Sequence, residues 1–450
     1  MVGFLARHEW RLLTANAVVQ LVLLVFGTAL LAAAMLGVAR MERDQRMFAA
    51  FTGRALQHRA QPPSLRSDAI ANESGFLALL PPAPLGALAV GQSDVYPSYL
   101  KVTARNLDSL VTGDQIEHPL AVASGHLDVA FVVLFLYPLL IFAVSFDLTA
   151  TERDRGTLRM VLAQPVLLRD LVAGKMLARA VLLSVPVVLI PPIVSIEHVT
   201  TSAVLIWTAA VLAYGAIWHG IALVINARGW NAAANALVLA GLWLIFTVVG
   251  PATINLVIAV VYPMPSRVEA AVQARAATRD ATVQGSRELG QFLQDHPTSA
   301  NVGREGMRQF AALQAARDRQ VADRLQAVEA AFDAQLQRQR RLASWLSVLS
   351  PTMVAQQVLL ESAGTSASRF EYFKQSAAAF QRQWKTYFEP RVLDAATLTA
   401  DEVAAAPVFA FVEGPAAAML ARVVPPIIAM VAAGFALLVA GFRSYRGYGV

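Results

Sequence analysis

The chain has 450 residues, of which 56% are hydrophobic and only 15% are charged, and its formal net charge is +6. A soluble domain usually carries about 25% charged residues, so this composition argues against an ordinary soluble protein. The sequence contains no cysteine, which excludes disulfide frameworks, zinc–thiolate sites and cysteine nucleophiles.

Six apolar stretches are long enough to cross a bilayer core, which needs about 20 helical residues. In chain order they are 16–39, 127–147, 177–196, 203–225, 232–261 and 416–441. The first stretch is longer than the apolar part of a signal peptide, so we interpret it as a retained anchor. The sequence therefore predicts an all-α integral membrane protein with six transmembrane helices and two inserted, mainly helical domains.

Residues 1–15 are predicted to form a helix that lies in the membrane interface. Polar Arg7 and Arg11 fall on one face, and Trp10 falls on the apolar face at headgroup level. Glu9 interrupts this apolar face. We expect its carboxylate either to contact a partner protein or to pair with a basic residue of the loop at 147–179, the simpler alternative being a charged anchor before the first span.

The charge distribution predicts the orientation of the spans. With the N-terminus in the cytoplasm, the inner segments are 1–15, 147–179, 226–231 and 442–450. They carry eleven basic and five acidic residues, a difference that equals the whole net charge of +6. This asymmetry follows the positive-inside rule. It places both termini in the cytoplasm and two large domains outside.

The two outer domains are predicted at 40–126 and 262–415. The first begins as a charged helix that continues from the first span through Arg59 and then becomes proline-rich. The second contains a long stretch, 266–341, that is rich in good helix formers.

The segment 148–176 within the inner loop reads as a short helix, a stop at Pro165 and a second helix that leads into the membrane. Leu158, Val161 and Leu162 share one face of the short helix at helical spacing. This face would present a ridge to a soluble protein below the membrane. The alternative is an ordinary positively charged connector.

The same loop carries a family resemblance. The pattern Glu152-Arg153, Gly156-Thr157-Leu158, Leu162, Pro165, Arg169 and Gly174-Lys175 resembles the signature cytosolic loop of ABC-2-type transporter permeases. A second pattern comprises Leu349-Ser350-Pro351, Gly364-Thr365 and Phe380-Gln381-Arg382. It resembles a bacterial subfamily with a large periplasmic domain before the last span, related to the permease of the nitrous-oxide-reductase maturation transporter. The outer segment 40–126 departs from the family pattern.

The resemblance implies a non-catalytic permease subunit of an exporter in the bacterial inner membrane. Its partners would be an ABC ATPase subunit, a second permease copy or homologue, the lipid bilayer and a periplasmic protein, but no nucleic acid. The residues expected to couple to the ATPase are Glu152, Arg153, Gly156, Thr157, Leu158, Leu162, Pro165, Arg169 and Lys175. The interfacial helix would contribute Glu9, Trp10 and Arg11.

The chain lacks the G-x-x-x-x-G-K-[ST] loop that cradles phosphate. We therefore expect no cofactor in this chain, with ATP and Mg bound by the partner ATPase. The histidines show no metal-ligand spacing, so no metal site is expected, and no catalytic residues are predicted.

Polar side chains inside apolar spans are costly in hydrocarbon, so they are candidates for a translocation pathway. These candidates are Asn16, Gln20, Trp218, His219 and Asn255. Hydrogen bonding between helices is the alternative explanation. The competing function is a membrane-anchored periplasmic sensor or scaffold without transport activity, and an intramembrane enzyme ranks last.

Overall fold

The computed structural model describes residues 1–62, 64–93, 96–104, 127–194, 201–263, 334–394 and 396–445, with scattered single positions between 272 and 330. Within these residues, six helices are long and apolar enough to cross a membrane. This agrees with the predicted all-α membrane protein. Most of the predicted helical stretch 266–341 and the tail after Tyr445 lie outside the described residues.

The helices are α1 (Val2–Ala15), α2 (Ala17–Ala60), α3 (Val129–Phe131, π-helical Val132–Leu136 and Tyr137–Ser145), α4 (Ala150–Asp154), α5 (Thr157–Leu162), α6 (Leu168–Val194), α7 (Thr201–Asn226), α8 (Ala232–Leu244, π-helical Ile245–Val249 and Gly250–Val261), α9 (Pro351–Ala363), α10 (Ala367–Leu393), α11 (Ala400–Ala405) and α12 (Ala416–Ser444). Residues 334–347 are also helical. A π-helical turn at Ala69–Ser74 precedes the antiparallel strands β1 (Phe76–Leu79) and β2 (Tyr99–Val102).

Helix α2 is longer than a membrane crossing requires. Its 44 residues span about 66 Å at 1.5 Å per residue, about twice the thickness of the hydrocarbon core. The prediction that the first span continues as a charged helix through Arg59 is confirmed.

Helix α7 lies at the centre of the bundle and packs against α3, α6, α8, α9 and α12. Its contact with α12 is close because both helices carry small residues. A Cβ atom on Gly220 would lie 2.6 Å from the Cβ atom of Leu437, and one on Gly434 would lie 3.1 Å from that of Ala216. Such glycines let two membrane helices approach and gain dispersion contacts.

The structure corrects the prediction of two separate inserted domains. The described parts of 40–126 and 262–415 share one hydrophobic core, in which β1, β2 and the turn at Ala69–Ser74 pack against one face of α10. The indole of Trp384 donates a hydrogen bond to the Ala71 carbonyl at 3.2 Å, and Arg66 forms a β-bridge with Thr397. The physical reason is that a short two-stranded ribbon buries too little apolar surface to be stable alone. We call this unit the composite domain.

The predicted boundaries of the second inserted domain also need correction, because residues 334–363 return into the helix bundle. Gln339 donates to the Tyr262 carbonyl near the end of α8, whereas Ser350 donates to the Phe246 carbonyl at 2.5 Å. These two positions lie roughly 24 Å apart along α8. Helix α9 then returns between α7 and α12, and its Glu361 pairs with Arg422 at 3.1 Å. We call residues 334–363 the re-entrant hairpin.

Local sequence explains why the hairpin turns where it does. The Ser350 hydroxyl accepts from the backbone N–H of Met353 and caps α9, and Pro351 occupies the first turn, where a missing N–H costs nothing. Gly364 ends α9 with φ = +75°, a conformation that favours glycine. Trp345 before the turn is 79% exposed, which suits a surface that faces hydrocarbon rather than water.

Candidate functional site

The candidate site lies at the end of the bundle that carries residues 147–179, which we call the loop end. Here α1 packs along the first half of α6. A Cβ atom on Gly174 would lie 2.7 Å from the Cβ atom of Leu5 and 3.2 Å from the backbone nitrogen of Ala6. Gly174, part of the loop pattern in the sequence, therefore allows the two helices to approach this closely.

Glu9 and Arg179 form a buried ion pair between these helices. A Glu9 carboxylate oxygen lies 2.9 Å from Nη2 of Arg179, and the two residues are only 7% and 5% exposed. Asp147 approaches the same nitrogen at 3.9 Å. Of the two roles expected for Glu9, pairing with a basic residue of the loop is the one that the geometry supports. On the rest of α1, Trp10 is half-buried and Arg11 is exposed.

Lys175 makes a second buried connection, from α6 to α4. Its Nζ lies 2.7 Å from a carboxylate oxygen of Glu152 and donates to the Leu148 carbonyl at 3.0 Å. Because an uncompensated buried ammonium would be costly, the Lys175 side chain holds the start of the loop against α6.

Two asparagines hold the chain reversal between α3 and α4. Asn226 at the end of α7 accepts from the Leu148 N–H at 3.1 Å and donates to the Ser145 carbonyl at 2.9 Å. Asn235 on α8 donates to the Phe146 carbonyl at 3.1 Å. Asn226 was not among the predicted site residues. Its signal in the sequence is an amide at the end of a long apolar run, where the backbone turns and needs partners.

The tip between α4 and α5 is a tight turn. Gly156 has φ = +73° and open space around its Cβ position, so glycine is favoured there by conformation rather than by packing. The Thr157 hydroxyl donates to the Glu152 carbonyl at 3.1 Å, and Arg153 donates to the Trp230 carbonyl at 2.7 Å. Arg153 therefore ties the tip to the connection between α7 and α8.

The predicted ridge on α5 faces inward. Leu158 is 2% exposed, and Val161 and Leu162 are half-buried, because these apolar side chains pack on the protein instead of facing water. The outward surface of the tip is carried by Met160, which is 74% exposed, together with the exposed Arg155 and Arg159.

The predicted proline stop is confirmed. Helix α5 ends at Leu162 and α6 begins at Leu168, with Pro165 exposed between them. Arg169 lies in the first turn of α6, where its Nε atom is 3.7 Å from Asp170. The coupling roles of Pro165 and Arg169 stay predictions.

The five candidates for a translocation pathway lie at three separate places. Asn16 caps α2 by accepting from the Val18 and Val19 N–H groups, and Gln20 donates to the Thr14 carbonyl at 2.6 Å. Both side chains are exposed at the junction of α1 and α2. The Asn16 bonds stay within α2, whereas the Gln20 bond joins α2 to α1 and so fits the alternative of hydrogen bonding between helices. The pathway role of both residues stays a prediction.

Trp218 and His219 lie in the bundle core, whereas Asn255 is exposed on α8. Trp218 makes edge-to-face contacts with Phe142 and Tyr214, with ring centroids 5.4 and 5.9 Å apart. Neither ring nitrogen of the buried His219 has a hydrogen-bond partner among the described residues. The pathway role of these residues stays a prediction.

Comparison with known proteins bears on a part of the chain near its C-terminal end. Residues 267–412 match a family described as a domain of unknown function (DUF3526). The match covers about a third of the chain and includes α9, α10 and α11 but not α1 to α8 or α12. No curated protein matches the chain.

Proposed function

We propose that the chain is the membrane-spanning permease subunit of an ATP-driven ABC-2-type exporter. In this proposal the tip formed by α4 and α5 docks on a separate ATPase subunit. The observation that carries it is two ion pairs: Glu152–Lys175, in which Lys175 is buried and Glu152 half-buried, joins this tip to α6, and the buried pair Glu9–Arg179 joins α6 to α1. An ordinary connector between two spans needs no such buried charges.

The proposed mechanism is the transfer of movement through rigid contacts. Nucleotide binding would move the ATPase surface against Met160 and its neighbouring arginines. The Glu152–Lys175 pair passes this displacement to α6, and the Glu9–Arg179 pair and the contact at Gly174 pass it to α1. Because α1 is separated from α2 only by Asn16, the first span would move with the loop.

The proposal includes an orientation and an assembly. The loop end would face the cytoplasm of a bacterium, the side that carries the excess of basic residues. The composite domain would then stand in the periplasm. ATP and Mg would be bound by the ATPase, and a second permease copy or homologue would complete the pathway.

The experiment is co-purification in mild detergent with the ATPase subunit encoded nearby, comparing Met160→Asp with Met47→Asp. Both methionines are well exposed, and Met47 lies on the distal part of α2 away from the loop end. We expect Met160→Asp alone to reduce the recovery of the ATPase about tenfold or more, because it introduces a charge into an apolar contact. Equal recovery with both variants would contradict docking at the tip.

A sensor or scaffold function is the second candidate, and an arginine-lined groove on the composite domain favours it. A sensor needs no ATPase at the loop end. A wild-type complex that contains no ATPase, under conditions that keep the chain folded, would favour this alternative.

A further inference from the structure

A groove lies on the composite domain, far from the loop end. The groove has a volume of about 530 Å³, which lies within the size range of ligand sites. Its lining residues are Arg382, Gln383, Thr386, Tyr387, Arg391 and Pro407. Five of these come from α10, where they span about half of the helix circumference, and Pro407 comes from the segment after α11.

The groove carries positive charge from two arginines, Arg382 and Arg391. Arg382 is exposed, and its guanidinium makes no ion pair or hydrogen bond with the described residues. Arg391 stacks on the ring of Tyr387 at 3.9 Å and donates to the Tyr387 carbonyl at 2.6 Å. A guanidinium fixed in this way is oriented, so it loses little entropy when it binds an anion.

A nearby carboxylate compensates this charge only in part. Glu402 interacts electrostatically with Arg391, but its Oε2 atom accepts from the backbone N–H and the hydroxyl of Thr399. Its hydrogen-bonding capacity is therefore directed to the cap of α11 rather than to Arg391. Gln383 adds a neutral amide beside the two guanidiniums, whereas the Thr386 hydroxyl already donates to the Arg382 carbonyl at 2.9 Å.

The wall of the groove is held in place by α2. The Arg59 guanidinium donates to the carbonyls of Ala404, Ala406 and Pro407 at 2.6, 2.5 and 3.2 Å. This clamp fixes Pro407, which lines the groove. A site whose wall is preformed binds without first ordering a loop.

The position of Arg59 also fixes the environment of the groove. It lies about 28 Å further along α2 than Arg40, the first charged residue after the apolar stretch of that helix. Headgroups add only roughly 5–8 Å beyond the hydrocarbon core on each side. The groove therefore opens to the aqueous phase and not to the headgroups of the bilayer that the chain crosses.

We propose that this groove binds a soluble ligand that carries phosphate or carboxylate groups. The two guanidiniums bind its oxyanions, the Gln383 amide gives a further hydrogen bond, and the Tyr387 ring supplies an apolar surface. Since Arg382 and Arg391 lie nine positions apart on α10, a ligand with at least two anionic groups fits better than a single ion. The proposal does not depend on the transport function.

The test uses the full chain in nanodiscs of zwitterionic lipid, with tripolyphosphate and a short oligogalacturonate as soluble probes. Binding is measured by calorimetry for the wild type, Arg382→Gln and Arg382→Gln/Arg391→Gln. We expect the wild type to bind at least one probe and the double variant to bind it at least about tenfold more weakly. Arg382→Gln alone should already weaken binding, and because this side chain has no partner among the described residues, its loss should leave the thermal unfolding profile unchanged.

The matched control is Arg338→Gln/Arg341→Gln, which removes two exposed positive charges from the first helix of the re-entrant hairpin. It should bind like the wild type. Three results would overturn the proposal. The control could weaken binding as much as the groove variants do, the groove variants could bind like the wild type, or the wild type could bind neither probe. A further arm measures binding of the protein to vesicles that contain anionic lipid. If the protein binds these vesicles, loses that binding in the groove variants and binds no soluble probe, the assignment to a soluble ligand is overturned.

Discussion

The carboxylate of Glu9 lies 2.9 Å from the guanidinium of Arg179 although 170 positions separate them in the chain. This contact joins the first helix of the protein to the helix that follows the loop. We expect Glu9→Gln to destabilise the fold by about 3–5 kcal/mol, because it leaves the Arg179 charge buried with only the more distant Asp147. Reversible unfolding in mixed micelles measures this change.

The control for the buried pair is Glu42→Gln. Glu42 pairs with Arg46 at 2.7 Å on the exposed surface of α2, where loss of an ion pair costs about 0–1 kcal/mol. If Glu9→Gln and Glu42→Gln lower the free energy of unfolding by similar amounts, the buried pair does not stabilise the fold more than an exposed pair does. The exchange Glu9→Arg/Arg179→Glu should recover part of the lost stability.

The contact between α2 and the connection from β1 to β2 should tolerate no side chain at Gly37. A Cβ atom there would lie 1.9 Å from the Ala87 carbonyl oxygen, whereas Gly27 on the same helix has nothing within 4 Å. We expect Gly37→Ala to lower the free energy of unfolding by at least about 1–3 kcal/mol. Gly27→Ala should leave it unchanged or raise it slightly, and a loss as large as that of Gly37→Ala would refute the packing argument.

Docking of the re-entrant hairpin should depend on the Tyr214 hydroxyl. This group donates to the Leu134 carbonyl at 2.8 Å and lies 3.0 Å from the Thr352 hydroxyl of α9. Tyr214→Phe leaves these buried groups without their partner, and we expect a loss of about 1–3 kcal/mol. Protease sensitivity of residues 334–363 should rise in parallel.

Tyr372→Phe is the matched change for this prediction, because the Tyr372 hydroxyl makes no hydrogen bond with the described residues. It should leave both stability and cleavage unchanged. If Tyr214→Phe behaves in the same way, the Tyr214 hydroxyl does not contribute to docking of the hairpin.

The cap of α11 predicts a small acid-sensitive contribution to the stability of the composite domain. Hydrogen bonds from the Thr399 backbone and hydroxyl lower the pKa of Glu402 below its ordinary value of 4.5. A lowered pKa in the folded state means that the contribution is present above pH 4.5 and is lost as the pH falls through the folded value. Unfolding curves of wild type and Glu402→Gln should therefore converge below this window, and a constant difference down to the lowest pH would argue against the cap.

The spans and the loop motif were predictable from sequence because their signals are local. A run of about 20 apolar residues identifies a span, and Pro165 marks a break between two helices wherever the rest of the chain lies. The expected continuation of the first span to Arg59 also depended only on neighbouring residues. Glu9 stood out for the same reason, since a carboxylate on an apolar helix face needs a partner.

The identity of that partner was decided only by tertiary structure. Nothing in the sequence around Glu9 distinguishes Arg179 from the other basic residues of the loop, and the inward orientation of Leu158 depends on which surface α5 meets. The single core of the composite domain and the return of residues 334–363 into the bundle have the same origin. Each buries apolar surface that its own segment cannot cover, so the chain pairs segments that are from 77 to more than 300 positions apart. Such pairing leaves no local pattern.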